Sequence, residues 1–180
     1  MGLGIVAALW GFAEATLFFL VPDIWLTAIA VWRGRAAAFR AAGWAIAGAT
    51  AGGALMYVWA SADPAGAMAA LDSLPAISTA MIDSSREALM QNGLWQLFVG
   101  AMTGTPYKIF AAAAPAAGFS LVQLLLVTIP ARAVRFVAAI LIADVINRVM
   151  ATYVSPRGRL LVLAGFWLVF YAGYLTLMPS

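Results

Sequence analysis

The sequence predicts an all-α integral membrane protein, a single domain (residues 1–180) built as an inverted-repeat bundle. Two re-entrant helical hairpins would enter it from opposite sides, beside about three spanning helices. Three observations predict this fold class. The chain is 65% hydrophobic and only 9% charged, whereas roughly a quarter of the residues are charged in a soluble domain. Charged residues and helix breakers interrupt two of the apolar runs. Arginine-rich and acidic stretches alternate between the runs, as in a chain that crosses a bilayer several times.

Residues 1–32 predict the first re-entrant hairpin. The run is apolar apart from Glu14 and Asp23, and Pro22 interrupts it immediately before Asp23. One crossing of the bilayer takes about 20 residues and two crossings take about 40, so this run is too long for one helix and too short for two. We therefore expect two half-helices, over residues 3–21 and 24–32, with both acids near the tip of the hairpin.

An arginine-rich loop and a spanning helix follow. Arg33, Arg35 and Arg40 belong on the cytoplasmic side by the positive-inside rule, which makes the N-terminus cytoplasmic as well. Residues 41–60 predict a spanning helix in which glycine and alanine recur at four-residue intervals. Such a face lets another backbone approach closely, either within the chain or across a homodimer.

Residues 61–87 predict an external connection. They hold four of the seven acidic residues of the chain and two prolines, Pro64 and Pro75. The second half of this segment is modestly amphipathic, so we expect part of it to lie along the membrane interface. Pro75 argues against one continuous helix there.

Residues 94–118 predict the second re-entrant hairpin. An apolar run here contains a cation, Lys108, and three helix breakers, Pro106, Pro115 and Gly118. Free backbone groups and a charge are costly in the bilayer unless protein or a water-filled cavity surrounds them, which favours a hairpin that returns to the external side. The alternative is an ordinary spanning helix kinked at proline, with Lys108 reaching an interface.

The last third of the chain predicts two spanning helices. Residues 119–147 form the longest helical run, and its Asp144 is assigned to an ion pair with Arg148 at the helix end. Arg148, Arg157 and Arg159 form a second cytoplasmic cluster by the same positive-inside argument. Residues 160–178 then predict a terminal span that leaves the C-terminus outside.

Five ionisable side chains are predicted to meet in the membrane interior. They are Glu14, Asp23, Lys108, Arg132 and Arg135. If the hairpins meet, each acid gains a counter-ion, and three cations against two acids leave one positive charge for a lipid phosphate. Lys108, Arg132 and Arg135 are therefore the candidate phosphate-binding residues, because guanidinium groups hold phosphate oxygens in bidentate fashion. The alternative is that the charges only neutralise one another and fix the fold.

The two acids are the candidates for proton coupling. Glu14 is the better one, since burial in apolar surroundings disfavours the charged form of a carboxyl group. Asp23 lies beside the helix break at Pro22 and is expected to stay ionised near Arg132 or Arg135. Histidine and cysteine are absent from the chain, which excludes imidazole bases and thiol nucleophiles. We therefore expect no enzyme activity and no cofactor.

These motifs resemble the DedA superfamily (the VTT or SNARE-associated Golgi protein group), and within it the short YqaA-like branch. The matching residues are Glu14, Pro22 and Asp23, a glycine-rich helix with Gly43, Gly48, Gly52, Gly53 and Tyr57, then Pro106, Lys108, Ala117 and Gly118, and finally Arg132 and Arg135. Larger members usually carry an arginine at the second hairpin, where this chain has Lys108. The resemblance implies lipid movement across bilayers, with proton coupling proposed for some members, and it implies the bacterial inner membrane.

The sequence thus predicts a transporter, flippase or scramblase for a lipid with an anionic phosphate head group. The resemblance names undecaprenyl phosphate or a phospholipid as that lipid. Protons are the expected coupling partner, a homodimer is one arrangement of the glycine-rich face, and no nucleic-acid partner is expected. The competing hypothesis is a non-transporting factor for membrane-protein assembly or envelope maintenance.

Overall fold

The computed structural model describes residues 2–177, so Met1 and Met178, the outermost residues of the predicted segments 1–32 and 160–178, lie outside it. Within residues 2–177 all of the regular secondary structure is helical, with no strand. The helices are α1 Gly2–Ala15, α2 Asp23–Arg33, α3 Arg35–Ala62, α4 Pro64–Asp72, α5 Thr79–Asn92, the 3₁₀ turn Gly93–Trp95, α6 Gln96–Thr103, α7 Tyr107–Ala113, α8 Leu121–Met150 and α9 Pro156–Leu177.

Three helices, α3, α8 and α9, are long and apolar enough to cross a membrane. They contain 28, 30 and 22 residues, which correspond to about 42, 45 and 33 Å of helix. The hydrocarbon core of a bilayer is about 30 Å thick. The prediction of an all-helical membrane protein with about three spanning helices is therefore confirmed at this level.

The spanning helices extend beyond the apolar runs that predicted them. Helix α3 begins at Arg35 and ends at Ala62 rather than covering only residues 41–60. At the start of α8, the Ser120 hydroxyl accepts a hydrogen bond from the Gln123 backbone, and the Gln123 side chain accepts one from the Ser120 backbone. This capping box fixes the start of the helix, which a hydropathy window does not detect.

The first predicted hairpin contains two short helices, but its first helix ends earlier than expected. Helix α1 stops at Ala15, and residues 16–22 form a loop instead of the last two turns of a half-helix. Backbone groups of this loop are paired: the Phe18 amide donates to the Ala13 carbonyl, and the Leu20 carbonyl accepts from the Trp10 indole. With 14 and 11 residues, α1 and α2 are only about 21 and 16 Å long.

Helix α1 packs in parallel along α3, and glycine makes this possible. Gly4 lies beside Trp44, while Gly48 lies against the backbone of Ala8. A Cβ atom at Gly48 would collide with the Ala8 carbonyl group, so the two backbones are nearly in contact. Gly43 lies on the other face of α3, with no atom near its Cβ position.

The second predicted hairpin also contains two short helices. Helix α6 ends at Gly104, whose φ of +91° is a left-handed conformation that favours glycine. Pro106 caps the start of α7, and all seven residues of α7 are buried. Lys108 is only 2% exposed, so its side chain is buried within the protein and does not lie on the protein surface.

The second predicted hairpin ends in a turn. Pro115 lies in the turn after α7, where Gly118 adopts a φ of +82° before α8 begins. The predicted external segment 61–87 contains α4 and the first part of α5. Residues 73–78, which include Pro75, separate these two helices. Proline lacks the backbone N–H that an uninterrupted helix would need at this point.

Helix α8 runs antiparallel to α3, and α9 lies at the periphery. The Tyr57 hydroxyl donates to the Phe119 carbonyl near one end, and Phe136 packs with alanines of the first half of α3 near the other. Helix α9 packs on α2, where the Trp167 indole donates to the Thr27 hydroxyl. No side chain in the described part of α9 is buried.

Candidate functional site

The loop after α1 and the start of α7, which form the tips of the two predicted hairpins, meet at a cluster of buried charges. The Lys108 ammonium group, at the start of α7, donates a hydrogen bond of 2.6 Å to the carbonyl of Phe18 in the first hairpin's loop. Helix α8 passes both tips and contributes the arginines. The structure therefore brings together all five ionisable residues that the sequence predicted to meet: Glu14, Asp23, Lys108, Arg132 and Arg135.

Glu14 and Arg132 form the shortest ion pair of the cluster. Arg132 Nη2 lies 2.7 Å from Glu14 Oε2, and both side chains are about 95% buried. The guanidinium N–H bonds are not aligned with the carboxylate, and Arg132 Nε and Nη2 have no hydrogen-bond acceptor among the described residues. Glu14 is thus not the solitary carboxyl in apolar surroundings that the proton-carrier prediction assumed. Since Nη2 is paired with Glu14, Nε is the buried donor of this guanidinium that has neither an acceptor nor an ion-pair partner among the described residues.

Asp23 and Arg135 form a second pair, which joins three parts of the chain. Arg135 Nη2 lies 3.3 Å from Asp23 Oδ2, and Arg135 Nε donates to Oδ1 at 3.3 Å. The remaining Nη1 donates to the Ala101 carbonyl of α6 at 3.3 Å. Asp23 is also the first residue of α2, where a negative charge interacts favourably with the helix dipole. Arg135 consequently links α8 to both hairpins.

Lys108 carries the surplus charge of the cluster. Among residues 2–177, no carboxylate lies within ion-pair distance of its ammonium group. Three cations and two carboxylates give the cluster a formal charge of three minus two, or +1. A buried ammonium group with only a carbonyl as partner is an unusual and costly arrangement, and an anion beside it would lower that cost.

A small pocket lies between the hairpin tips and α9. Its volume is about 70 Å³, and its lining combines charged, loop and aromatic residues: Glu14, Phe19, Val21, Pro75, Ile77, Gly104, Thr105, Pro106, Lys108, Arg135, Phe170, Tyr171 and Tyr174. Since one water needs 10–15 Å³ by this measure, the pocket has room for about five waters. In this conformation it can admit a small anionic group but not a complete lipid.

Tyr107 is a component of the site that the sequence did not single out as functional. Its ring lies under the Arg132 guanidinium, 4.5 Å from ring centroid to Cζ, and its hydroxyl forms a 2.7 Å hydrogen bond with Thr128. Gly53 makes room for the tyrosine hydroxyl. Tyr107 is buried, so it supports the Arg132 guanidinium from within the protein. The only feature of the sequence that could have indicated this role is the position of Tyr107 next to Lys108.

The helix-breaking residues divide into two groups. Pro22 directly precedes Asp23, and Pro106 borders the pocket beside Lys108, so both shape the charged cluster. Pro115 and Gly118 lie in the turn that leads to α8, away from the pocket. Asp144 pairs with Arg148 at 2.8 Å, outside the cluster, as the sequence predicted.

The comparisons with known proteins give no information about this site. No protein-family model, curated protein or solved structure matches the chain. The resemblance to the DedA superfamily therefore stays a prediction. Within residues 2–177, no three acidic side chains lie close enough together to hold a metal ion.

Proposed function

We propose that this protein is a membrane transporter, a flippase or scramblase, for a lipid with an anionic phosphate head group. The observation that carries the proposal is Lys108, a buried cation without a carboxylate partner among the described residues, at the point where two hairpin tips meet. A phosphate group would supply the missing counter-ion. The expected lipids are a phospholipid or a polyprenyl phosphate, and the proposed location is the bacterial inner membrane.

The proposal includes a re-entrant arrangement of both hairpins. Helices α1, α2, α6 and α7 have 14, 11, 8 and 7 residues, and each is shorter than the roughly 20 residues that a crossing requires. The first hairpin ends at Arg33, next to the arginine-rich loop, and the second begins beyond the acidic segment. By the positive-inside rule they enter from the cytoplasmic and external sides, respectively. Inverted-repeat transporters place their substrate site between such broken helices.

Substrate binding would proceed by exchange of counter-ions. A phosphate entering the pocket would accept hydrogen bonds from Lys108 and Arg135, and the Phe18 carbonyl and the Asp23 carboxylate would give up these donors. Arg132 Nε would donate to a further phosphate oxygen once the hairpin tips separate. A carboxylate displaced from its arginine would remain buried without a counter-ion, and protonation would remove that cost. Coupling to protons would then follow from the displacement of Glu14 or Asp23.

A vesicle assay tests the proposal. The purified chain would be reconstituted into liposomes containing fluorescent phosphatidylglycerol, and transfer between leaflets would be followed by quenching of the outer leaflet. Lys108→Met removes the charge but keeps most of the side-chain volume, and Glu14→Gln removes a proton acceptor. We expect both variants to lose transport, while Arg157→Gln, which alters an exposed arginine outside the charged cluster, should keep it.

The control measurements make the outcome decisive. Circular dichroism and size-exclusion chromatography would establish that each variant is folded and monodisperse. Transport at the wild-type rate in folded Lys108→Met and Glu14→Gln would refute the proposal. Competition by undecaprenyl phosphate or by phosphatidylethanolamine would separate a polyprenyl substrate from a phospholipid substrate.

One observation favours the alternative of a non-transporting assembly or envelope factor. Both carboxylates of the cluster already have arginine partners, and the Asp23 pair joins the two hairpins through α8. A cluster of this kind can hold the bundle together without binding any substrate. If simultaneous neutralisation of Glu14 and Lys108 left the cellular function intact, this alternative would be favoured.

A further inference from the structure

A second cavity lies between α2, α8 and α9, separate from the charged pocket. Its volume is about 340 Å³ and its lining is almost entirely apolar: Thr27, Val31, Ala139, Ile142, Ala143, Ile146, Asn147, Met150, Arg159, Val162, Leu163, Phe166 and Trp167. It shares no lining residue with the charged pocket. Helix α9 packs on α2, and residues of α8 line the other wall of the cleft.

The two ends of the cleft differ in chemistry. The Trp167 indole donates to the Thr27 hydroxyl at 3.1 Å and closes the end nearer the hairpin tips. At the opposite end Arg159 is held in place, because its Nη1 donates to both the backbone and the side-chain oxygen of Asn147, at 3.3 and 2.8 Å. From Arg159 to Trp167 the cleft follows two turns of α9, about 12 Å. The cleft therefore has an apolar body and a positively charged opening, or mouth, at Arg159.

Arg159 has an unused donor at this mouth. Its Nε is buried and has no hydrogen-bond acceptor among the described residues. A buried N–H without a partner is costly, and the positive charge selects an anionic acceptor. Arg157, in the first turn of α9, lies on the same side of the molecule and raises the local positive potential.

We propose that this cleft is a binding site for one anionic phospholipid. One acyl chain occupies the apolar body between α8 and α9, and the phosphate pairs with the Arg159 guanidinium group at the mouth. The arginine-rich ends place this lipid in the leaflet on the side of the α8–α9 turn. The site does not depend on transport, because a non-transporting protein with the same cleft would hold the same lipid.

Native mass spectrometry of the detergent-solubilised chain, titrated with dioleoyl phosphatidylglycerol, tests the site. We expect one lipid to bind to the wild type and Arg159→Gln to weaken that binding by about tenfold, the cost of one charge-assisted hydrogen bond. Arg157→Gln is the matched control, because Arg157 is exposed and does not line the cleft. Equal weakening in both variants would show that only the general surface charge attracts the lipid, and would overturn the proposal.

A second pair of variants tests the apolar body without altering a charge. Ala139→Phe would fill the cleft and abolish one-to-one binding, whereas Val137→Phe adds the same ring to an exposed position on α8 and should leave binding unchanged. Unchanged binding in a folded Ala139→Phe would overturn the site. Loss of the lipid in Lys108→Met would place it in the charged pocket instead, and exclusive retention of polyprenyl phosphate would refute the phospholipid assignment.

Discussion

Helix α8 carries two arginine–carboxylate pairs of nearly identical length in different surroundings. Arg132 lies 2.7 Å from Glu14, and Arg148 lies 2.8 Å from Asp144. The Arg132 side chain is 4% exposed, while the Arg148 side chain is 62% exposed. Arg132 reaches a different helix across the bundle, whereas Arg148 pairs with a residue one turn earlier on its own helix.

The comparison shows that distance alone does not determine what an ion pair contributes. An i,i+4 pair whose arginine is exposed adds at most about 1 kcal/mol to that arginine's stability, because water can take the place of the carboxylate as its partner. A buried pair contributes little on balance when intact, but removal of one partner leaves a charge that water cannot reach. We therefore expect loss of the carboxylate to cost much more stability in the inner pair, whose arginine is buried, than in the outer pair, whose arginine is exposed.

The largest expected effect comes from Glu14→Leu. The substitution leaves Arg132 buried without a counter-ion, and arginine cannot lower the cost by deprotonation. We expect a loss of about 3–5 kcal/mol in the free energy of unfolding. Titration with sodium dodecyl sulfate in mixed micelles, followed by circular dichroism, measures this loss.

The double variant Glu14→Leu with Arg132→Met is the control for this prediction. It removes both charges and keeps apolar volume, so most of the lost stability should return. A double variant as unstable as Glu14→Leu alone would mean that packing around Glu14, and not the unpaired charge, accounts for the loss.

A smaller change in stability is expected from alanine substitutions at two glycines of α3. One of these glycines faces α1 and the other faces away from it. Gly48→Ala places a methyl group against the Ala8 carbonyl and must push α1 away from α3, at a cost of about 1–3 kcal/mol. Gly43→Ala meets open space and gains helix propensity of up to about 1 kcal/mol. The same unfolding titration applies to both variants. Equal stabilities would contradict the close contact between α1 and α3.

The sequence predicted the parts of the fold that depend on local composition. Hydropathy located the cores of α3, α8 and α9, and the helix breakers Pro22 and Pro106 marked the two interrupted runs. The end of α1 at Ala15 was missed, because residues 16–22 are apolar and only tertiary partners, such as Trp10 and Tyr171, stabilise their loop conformation. Local propensity carries no information about such partners.

The composition of the charged cluster was predictable, but its pairing was not. Few ionisable residues occur within apolar runs, so Glu14, Asp23, Lys108 and the two arginines could be recognised by counting. Which arginine pairs with which acid depends on the rotation of α8 against the hairpins, and no spacing rule gives that angle. The support of Arg132 by Tyr107 was missed for the same reason, since the two residues are 25 positions apart in the chain.

The smallest effect is expected from Asp144→Leu, the counterpart of Glu14→Leu on the outer pair. Arg148 keeps its hydration when the carboxylate is lost, because most of its side chain is exposed. We expect the free energy of unfolding to change by less than about 1 kcal/mol, and the change should shrink further at high salt, which screens exposed pairs. The same titration at low and high sodium chloride checks both expectations. A loss of unfolding free energy as large as that of Glu14→Leu, and independent of salt, would contradict this prediction. It would mean that burial of the arginine does not explain the difference between the two pairs.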